Sequence, residues 1–180
     1  VQYQPAKNTF LVPYQHLEEY KTTNLDNYFI MKHYGTVFDI NSETYVLDDL
    51  GDSWKILSVI TTKETVVIPE SYNGKNITQI DSNAFISASS VKNITLPRYY
   101  SYFEDLAFNQ AASLENISVD ANNTKFTAVN GVLYSKDMKE LIYYPSKKSD
   151  ETFTISNDVY VIRSYAFAGN DYLKNLVVGS

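Results

Sequence analysis

The chain has 180 residues and no Cys, a length at which one domain can bury its own core without disulfide staples. Fifteen Lys plus Arg against 21 Asp plus Glu give a net charge of -6, which argues against nucleic acid or an anionic membrane as the main partner, because both select for clustered cations. Sixteen Tyr and nine Phe beside two His lean the composition away from thiol and transition-metal chemistry, toward a β-rich structural or binding protein.

Residues 1–35 are a weakly patterned N-terminal segment. Val1 to Lys7 show no basic stretch leading into an apolar run, so no signal peptide is read there. No window approaches the roughly 18 apolar residues needed to insert across a bilayer. Tyr14 to Tyr20 is compatible with a short helix, and Asn24 to Asn27 with a turn. From Tyr28 the pattern becomes strand-like, through Tyr28-Phe29-Ile30-Met31, Thr36-Val37-Phe38, Thr44-Tyr45-Val46-Leu47 and Trp54 to Ile60, with Asp48 to Asp52 as a polar turn. Residues 36–64 are expected to form a β-rich cap over the first coil of a repeat array that begins at residue 65, since stacked coils need a shielded end. A separate small binding domain is the alternative.

Residues 65–180 repeat. Three stretches align on an Ala-Phe pair: Ala84-Phe85, Ala107-Phe108 and Ala166-Phe167. In each, a large apolar residue stands five before the Phe (Ile80, Phe103, Ile162) and an aliphatic six after it (Val91, Leu114, Leu173). Asn follows at eight (Asn93, Asn116, Asn175) and Ile or Leu at nine (Ile94, Ile117, Leu176). The first two Phe are 23 residues apart, within the 20–29 range of leucine-rich coils. The last two are 59 apart, which leaves room for an irregular coil. There Ala128 to Tyr134 and Glu140 to Pro145 read as two strands of a β-hairpin around the polar loop Ser135 to Lys139. The fold expected is a β-rich solenoid: a leucine-rich-repeat array of about 23-residue coils, an irregular coil carrying a β-hairpin, and an N-terminal β cap. Within a coil, Ile94 and Leu96 alternate toward the core while Lys92, Asn93 and Thr95 face away or turn. The Ala must be small because the chain folds back beside its neighbour, and the Phe fills the interior.

These residues resemble the BspA-like leucine-rich repeats of bacterial surface proteins. Ile68-Pro69, Ile77-Thr78-Gln79-Ile80, Ala84-Phe85 and Val91-Lys92-Asn93-Ile94-Thr95-Leu96-Pro97 match that family's unit, and Asn122 to Pro145 resembles one of its longer variants. The family's Cys falls on Ala88, Ala111 and Asn170; small Ala keeps the packing role, while Asn170 beside Gly169 implies a looser turn. The resemblance implies a secreted or cell-surface, non-enzymatic module of bacterial origin, used in adhesion or protein binding, with a host or matrix protein as the kind of partner.

Metal and catalytic readings are weak. Asp39-x-Asn41-x-Glu43 begins like a calcium loop, but Thr44 and Leu50 stand where Gly and Glu are required, so a solvated acidic turn is favoured. Asp48, Asp49 and Asp52 read the same way. His16 and His33 have no partners at ligand spacing, and no Gly-rich phosphate loop is present. No cofactor is expected. The four Asn-x-Ser/Thr triplets, at Asn76, Asn93, Asn116 and Asn122, are read as repeat positions rather than glycan acceptors.

Two candidate binding surfaces remain. Alignment puts Tyr100 and Phe103 with inward positions and leaves Tyr99 and Tyr102 outside. Exposed Tyr beside Arg98 has the composition of a binding hot spot, although strand propensity on a solvated surface is the favoured reading. The second surface is the row Lys92, Thr95, Glu115, Ser118, Lys174 and Val177, either a partner face or merely solvated. A carbohydrate-binding module and a structural spacer are the alternative functions. Leu176-Val177-Val178-Gly179-Ser180 lies in an expected strand without a polar cap, which points to truncation or to self-association at that open end.

Overall fold

The computed structural model describes residues 37–40 and 42–179, together with the backbone of 8–9, 29–30 and 36. The helix expected over Tyr14 to Tyr20, the turn at Asn24 to Asn27, and both His16 and His33 lie outside the described residues. Near the start, β1 (Asn8–Thr9) pairs in parallel with β2 (Phe29–Ile30).

An antiparallel meander comes next: β3 (Thr36–Ile40), β4 (Glu43–Asp49) and β5 (Ser53–Ile60). Its side chains alternate, so Tyr45, Leu47, Trp54, Ile56 and Val59 enter the core. The acidic residues of the two hairpins have separate partners: Glu43 is buried and accepts the Tyr45 hydroxyl at 2.7 Å, whereas Asp49 pairs with Lys75 at 2.7 Å. They do not converge on one point, and among the described residues no three His, Asp or Glu side chains gather as a metal would require.

From β5 the chain winds as a solenoid with two strand rows. One row carries β5, β8 (Lys75–Ile80) and β10 (Tyr102–Phe103) in parallel, with the short β7 (Ser71–Tyr72) folded onto β8. The other carries β6 (Thr65–Val67), β9 (Asn93–Leu96) and β11 (Asn116–Val119). The parallel register matches equivalent repeat positions, Ile94 with Ile117 and Gln79 with Tyr102. Phe85 and Phe108 lie fully buried between the rows, 5.7 Å apart and tilted. The Ala preceding the Phe is small because a backbone passes over it: the Val59 N–H donates to the Ala84 carbonyl at 2.7 Å.

A second meander interrupts the coils: β12 (Phe126–Val129), β13 (Val132–Ser135) and β14 (Glu140–Tyr143). The sequence predicts one hairpin here, with Ala128 to Tyr134 as a single strand; two are found. Asn130 and Gly131, at φ of 50° and 81°, form the tight left-handed turn that splits the run. A side chain at 131 is doubly excluded, since a Cβ there would sit 2.5 Å from the Asn116 side-chain oxygen. The tip of this hairpin takes the place of a next strand beside β11, because the Ile117 N–H donates to the Gly131 carbonyl at 3.0 Å. Then β15 (Thr152–Ile155) pairs with β17 (Asn175–Val178), and β14 pairs with β16 (Val161–Ile162).

The plan of the first half therefore recurs in the second: a meander whose last strand begins a parallel row. The bonds recur too. Tyr144 N–H reaches the Ala166 carbonyl at 2.7 Å, as Val59 reaches Ala84, and Arg163 N–H reaches Leu141 as Asp81 reaches Ile56.

Candidate functional site

The Arg98–Tyr99 pair sits on the turn after β9. Tyr100 N–H closes that turn onto the Pro97 carbonyl at 3.2 Å. A residue that sequence reasoning missed fixes it from beneath. Asn123 is buried, and its side-chain amide donates to the carbonyls of Pro97 at 2.8 Å and Tyr100 at 2.9 Å. Its oxygen accepts the Lys125 and Phe126 N–H groups, both at 2.8 Å. All four polar positions of one amide are satisfied, so the turn is held on one side by the next segment of the coil.

On that base the Arg98 guanidinium lies over the Tyr99 ring, 4.6 Å from its centroid. Tyr99 is half-buried rather than fully outside, and Arg98 is exposed. Tyr102 is the most open of the three tyrosines here, at 54%. Tyr100 is fully enclosed against Phe126, with ring centroids 5.3 Å apart. Burial pushes the Tyr100 phenol far above its usual range, and its hydroxyl has no hydrogen-bond partner among the described residues. Other buried tyrosines have found partners: Tyr143 donates to the Phe108 carbonyl at 3.3 Å and Tyr144 to Asp150 at 3.0 Å. Burial pushes the Tyr143 phenol up to about 12. Among the described tyrosines, Tyr45, Tyr100, Tyr134, Tyr143 and Tyr144 are therefore core material with a polar tip.

The row over the main strands is only partly continuous. Lys92 pairs with Glu64 at 2.7 Å, and Thr95 and Ser118 share a hydroxyl hydrogen bond of 2.8 Å on neighbouring strands. Glu115 is exposed next to them, its backbone N–H bonded to the Lys92 carbonyl at 2.8 Å. Lys174 and Val177 stand on the separate β15–β17 sheet, where Lys174 pairs with Glu151 at 2.6 Å. The Asn130–Gly131 turn divides the two sheets, so the six residues form a patch of four and a patch of two.

Asn170 corrects the expectation of a loose turn. It repeats the Asn123 arrangement, donating to Pro145 and Lys148 carbonyls, each at 2.9 Å, and accepting from Tyr172 and Leu173 N–H groups at 3.0 and 2.8 Å. The signal was present in the sequence as Asn followed three residues later by a large apolar residue, the pattern of an Asx turn entering a strand. Sequence reasoning also missed a groove of about 620 Å³ between β10 and the second meander, with Phe103, Phe126 and Ile142 among its lining residues.

A family model for the BspA type leucine-rich repeat region matches residues 63–129 and 136–180 in six copies, and its two blocks fall on either side of the β13 strand. Among solved structures, a leucine-rich repeat protein from Eubacterium ventriosum matches with a TM-score of 0.54 at 28% identity, covering 63% of this chain and 29% of that one. The pneumococcal vaccine antigen PcpA matches at 18% identity and a TM-score of 0.40, over 83% of this chain and 66% of that one. A leucine rich cell surface protein from Faecalibacterium prausnitzii matches at 12% identity and a TM-score of 0.47, over 80% and 43%. The chain thus spans less than a third of the length of the Eubacterium protein. No curated protein matches it. With the repeat model matched along most of its length, the chain belongs to the BspA-type leucine-rich-repeat family.

Proposed function

We propose that this chain is a non-catalytic recognition module displayed outside a bacterial cell, binding a protein partner of host or matrix origin. The observation that carries the reading is the Arg98–Tyr99–Tyr102 segment, held by an Asn123 whose amide is fully bonded. Arg and Tyr supply large amphipathic contact area, and a turn fixed before the partner arrives loses little entropy on binding. Surface display is what the resemblance to BspA-type repeats implies, and the family match over residues 63–129 and 136–180 supports that resemblance.

The test is a binding screen of the full chain against host and matrix proteins, followed by Arg98→Ala and Tyr102→Ala. Each variant is expected to weaken capture at least tenfold while the melting curve stays in place. Capture unchanged in both variants would remove this segment from the interface, and a screen without any capture would remove the reading.

A further inference from the structure

In the first strand row β10 ends its sheet: it pairs with β8 on one edge and with no strand on the other among the described residues. The next strands of that row, β14 and β16, belong to a different sheet. The second meander has separated them from β10, and the groove of about 620 Å³ lies in that break. Its volume falls in the range of ligand sites, roughly 300–1,000 Å³. On the opposite row, by contrast, the hairpin tip bonds to the edge of β11, through Ile117 N–H to the Gly131 carbonyl.

The lining is graded. Phe103, Phe126 and Ile142 are nearly buried and make an apolar floor, while Tyr102, Lys125 and Lys136 are exposed at the rim. Of the two carboxylates there, Glu140 is paired with a cation and Asp137 is bonded only to neutral donors. Glu140 accepts Arg163 Nε–H at 2.9 Å, and Asp137 accepts the Ser135 hydroxyl at 2.7 Å and the Lys139 N–H at 3.2 Å. Among the described residues, neither lysine is paired with a carboxylate. Lys136 Nζ reaches the Ala121 carbonyl, at 3.3 Å, and Lys125 makes no ion pair among the described residues. Their backbones are joined, Lys136 N–H to Lys125 carbonyl at 2.8 Å, so both ammonium groups project from one end of the meander. With Lys125, Lys136 and Arg163 against Asp137 and Glu140, the lining carries a net charge of +1 in a chain of net charge -6, above an apolar floor and beside an unpaired strand edge.

We propose that this groove takes an extended segment of a partner protein by strand addition to β10, one that alternates apolar and acidic side chains. The main chain of the segment pairs with the free edge, its apolar side chains meet Phe103, Phe126 and Ile142, and its carboxylates meet Lys125 and Lys136. The inference rests on the recognition reading above and specifies the form of the partner there.

Selection of random displayed peptides on the full 180-residue chain tests it. Enriched peptides are expected to be rich in Val, Ile, Asp and Glu in alternation and poor in Pro. Lys125→Glu/Lys136→Glu, two exposed changes, should weaken the best synthetic peptide at least tenfold with an unchanged circular dichroism melt. N-methylation of one alternate set of its amides should abolish binding while the other set is tolerated, because only one set faces the edge. Failure to enrich any peptide overturns strand addition, as do peptides indifferent to the lysine changes or to both N-methyl sets. Glycan binding that the lysine changes abolish, in place of peptide binding, also overturns it. The wider recognition reading is scored separately by the Arg98→Ala variant against whole proteins, so the two can fail independently.

Discussion

The two halves of this solenoid carry the same motif with unequal burial. In the first, Phe85, Phe108, Ile94 and Leu96 are inaccessible to solvent; in the second, Phe167 is half-buried, and Leu176 and Val178 are 45% and 70% exposed. Local geometry does not differ to match. The lateral bonds of Lys92 and Asn93 to the Glu64 carbonyl recur as those of Lys174 and Asn175 to Glu151, and the ion pairs above them measure 2.7 and 2.6 Å. What differs is the next layer. The first coils lie under further coils and a meander, with Phe108 enclosed by Phe85, Phe103 and Tyr143 at centroid distances of 5.6–5.7 Å. Over the last coil no described element packs. Solenoid stability is mostly a nearest-neighbour quantity, so one motif has different energetic weight at different places in the array.

Mutation of matched pairs sharpens this contrast. Phe108→Ala should cost roughly 3–5 kcal/mol in denaturant unfolding, the usual penalty for emptying a buried aromatic site. Phe167→Ala should cost about half of that, since part of the ring is already hydrated. Equal penalties would break the comparison.

The corner asparagines come next. Asn123→Ala strips two N–H groups and two carbonyls of their partner in a buried corner and should cost about 2–4 kcal/mol. Asn170→Ala, with the same bonds at a half-exposed site, should cost about 1 kcal/mol because water replaces the amide. The same unfolding titration reads both.

Tyrosine hydroxyls give a smaller effect of opposite sign. Tyr100→Phe removes a buried hydroxyl that lacks a partner among the described residues and should be neutral or stabilising by up to about 1 kcal/mol. Tyr144→Phe removes a bond to Asp150 and should destabilise by about 1 kcal/mol. A destabilising Tyr100→Phe would mean that its hydroxyl is satisfied in solution.

The smallest effect is in acid. Burial of Asp81 pushes its carboxyl up, but the Lys55 ammonium and the Asn83 N–H outweigh burial and hold it below its usual value. A carboxyl lowered in the folded state contributes stability above its unfolded value near ~3.9, and that contribution is lost as the pH falls through the folded value. Asp81→Asn should therefore flatten the stability profile below about pH 4 and leave its shape at neutral pH unchanged. An acid limb as steep as that of the parent would assign the loss to other carboxylates. The second half carries Arg163 at the matched position, so no equivalent of the Asp81 contribution arises there.

Much of this was legible in the residues. The spacing from Ile80 through Ala84-Phe85 to Ile94 identified the coil, because inward and outward positions follow strand alternation and a tight fold-back permits only a small residue. The Asn130-Gly131 turn is a legible signal as well, but Ala128 to Tyr134 is apolar enough to pass for one strand. Gly169 makes the sequence around Asn170 resemble a loose turn, whereas the role of Asn170 is set by carbonyls 22 and 25 residues earlier. The groove had no local signature: Phe103, Lys125 and Ile142 come from separate strands and turns that meet only after the meander folds back.

The sequence alone determined which side chains each coil turns inward and how far apart the coils begin, since both follow from local sterics and side-chain period. Tertiary structure decided which of those side chains lose their water, how the outer row is divided, and where a strand edge stays open. Each of these depends on what the neighbouring coil or meander covers, and coverage is a property of layers in contact that no single repeat encodes.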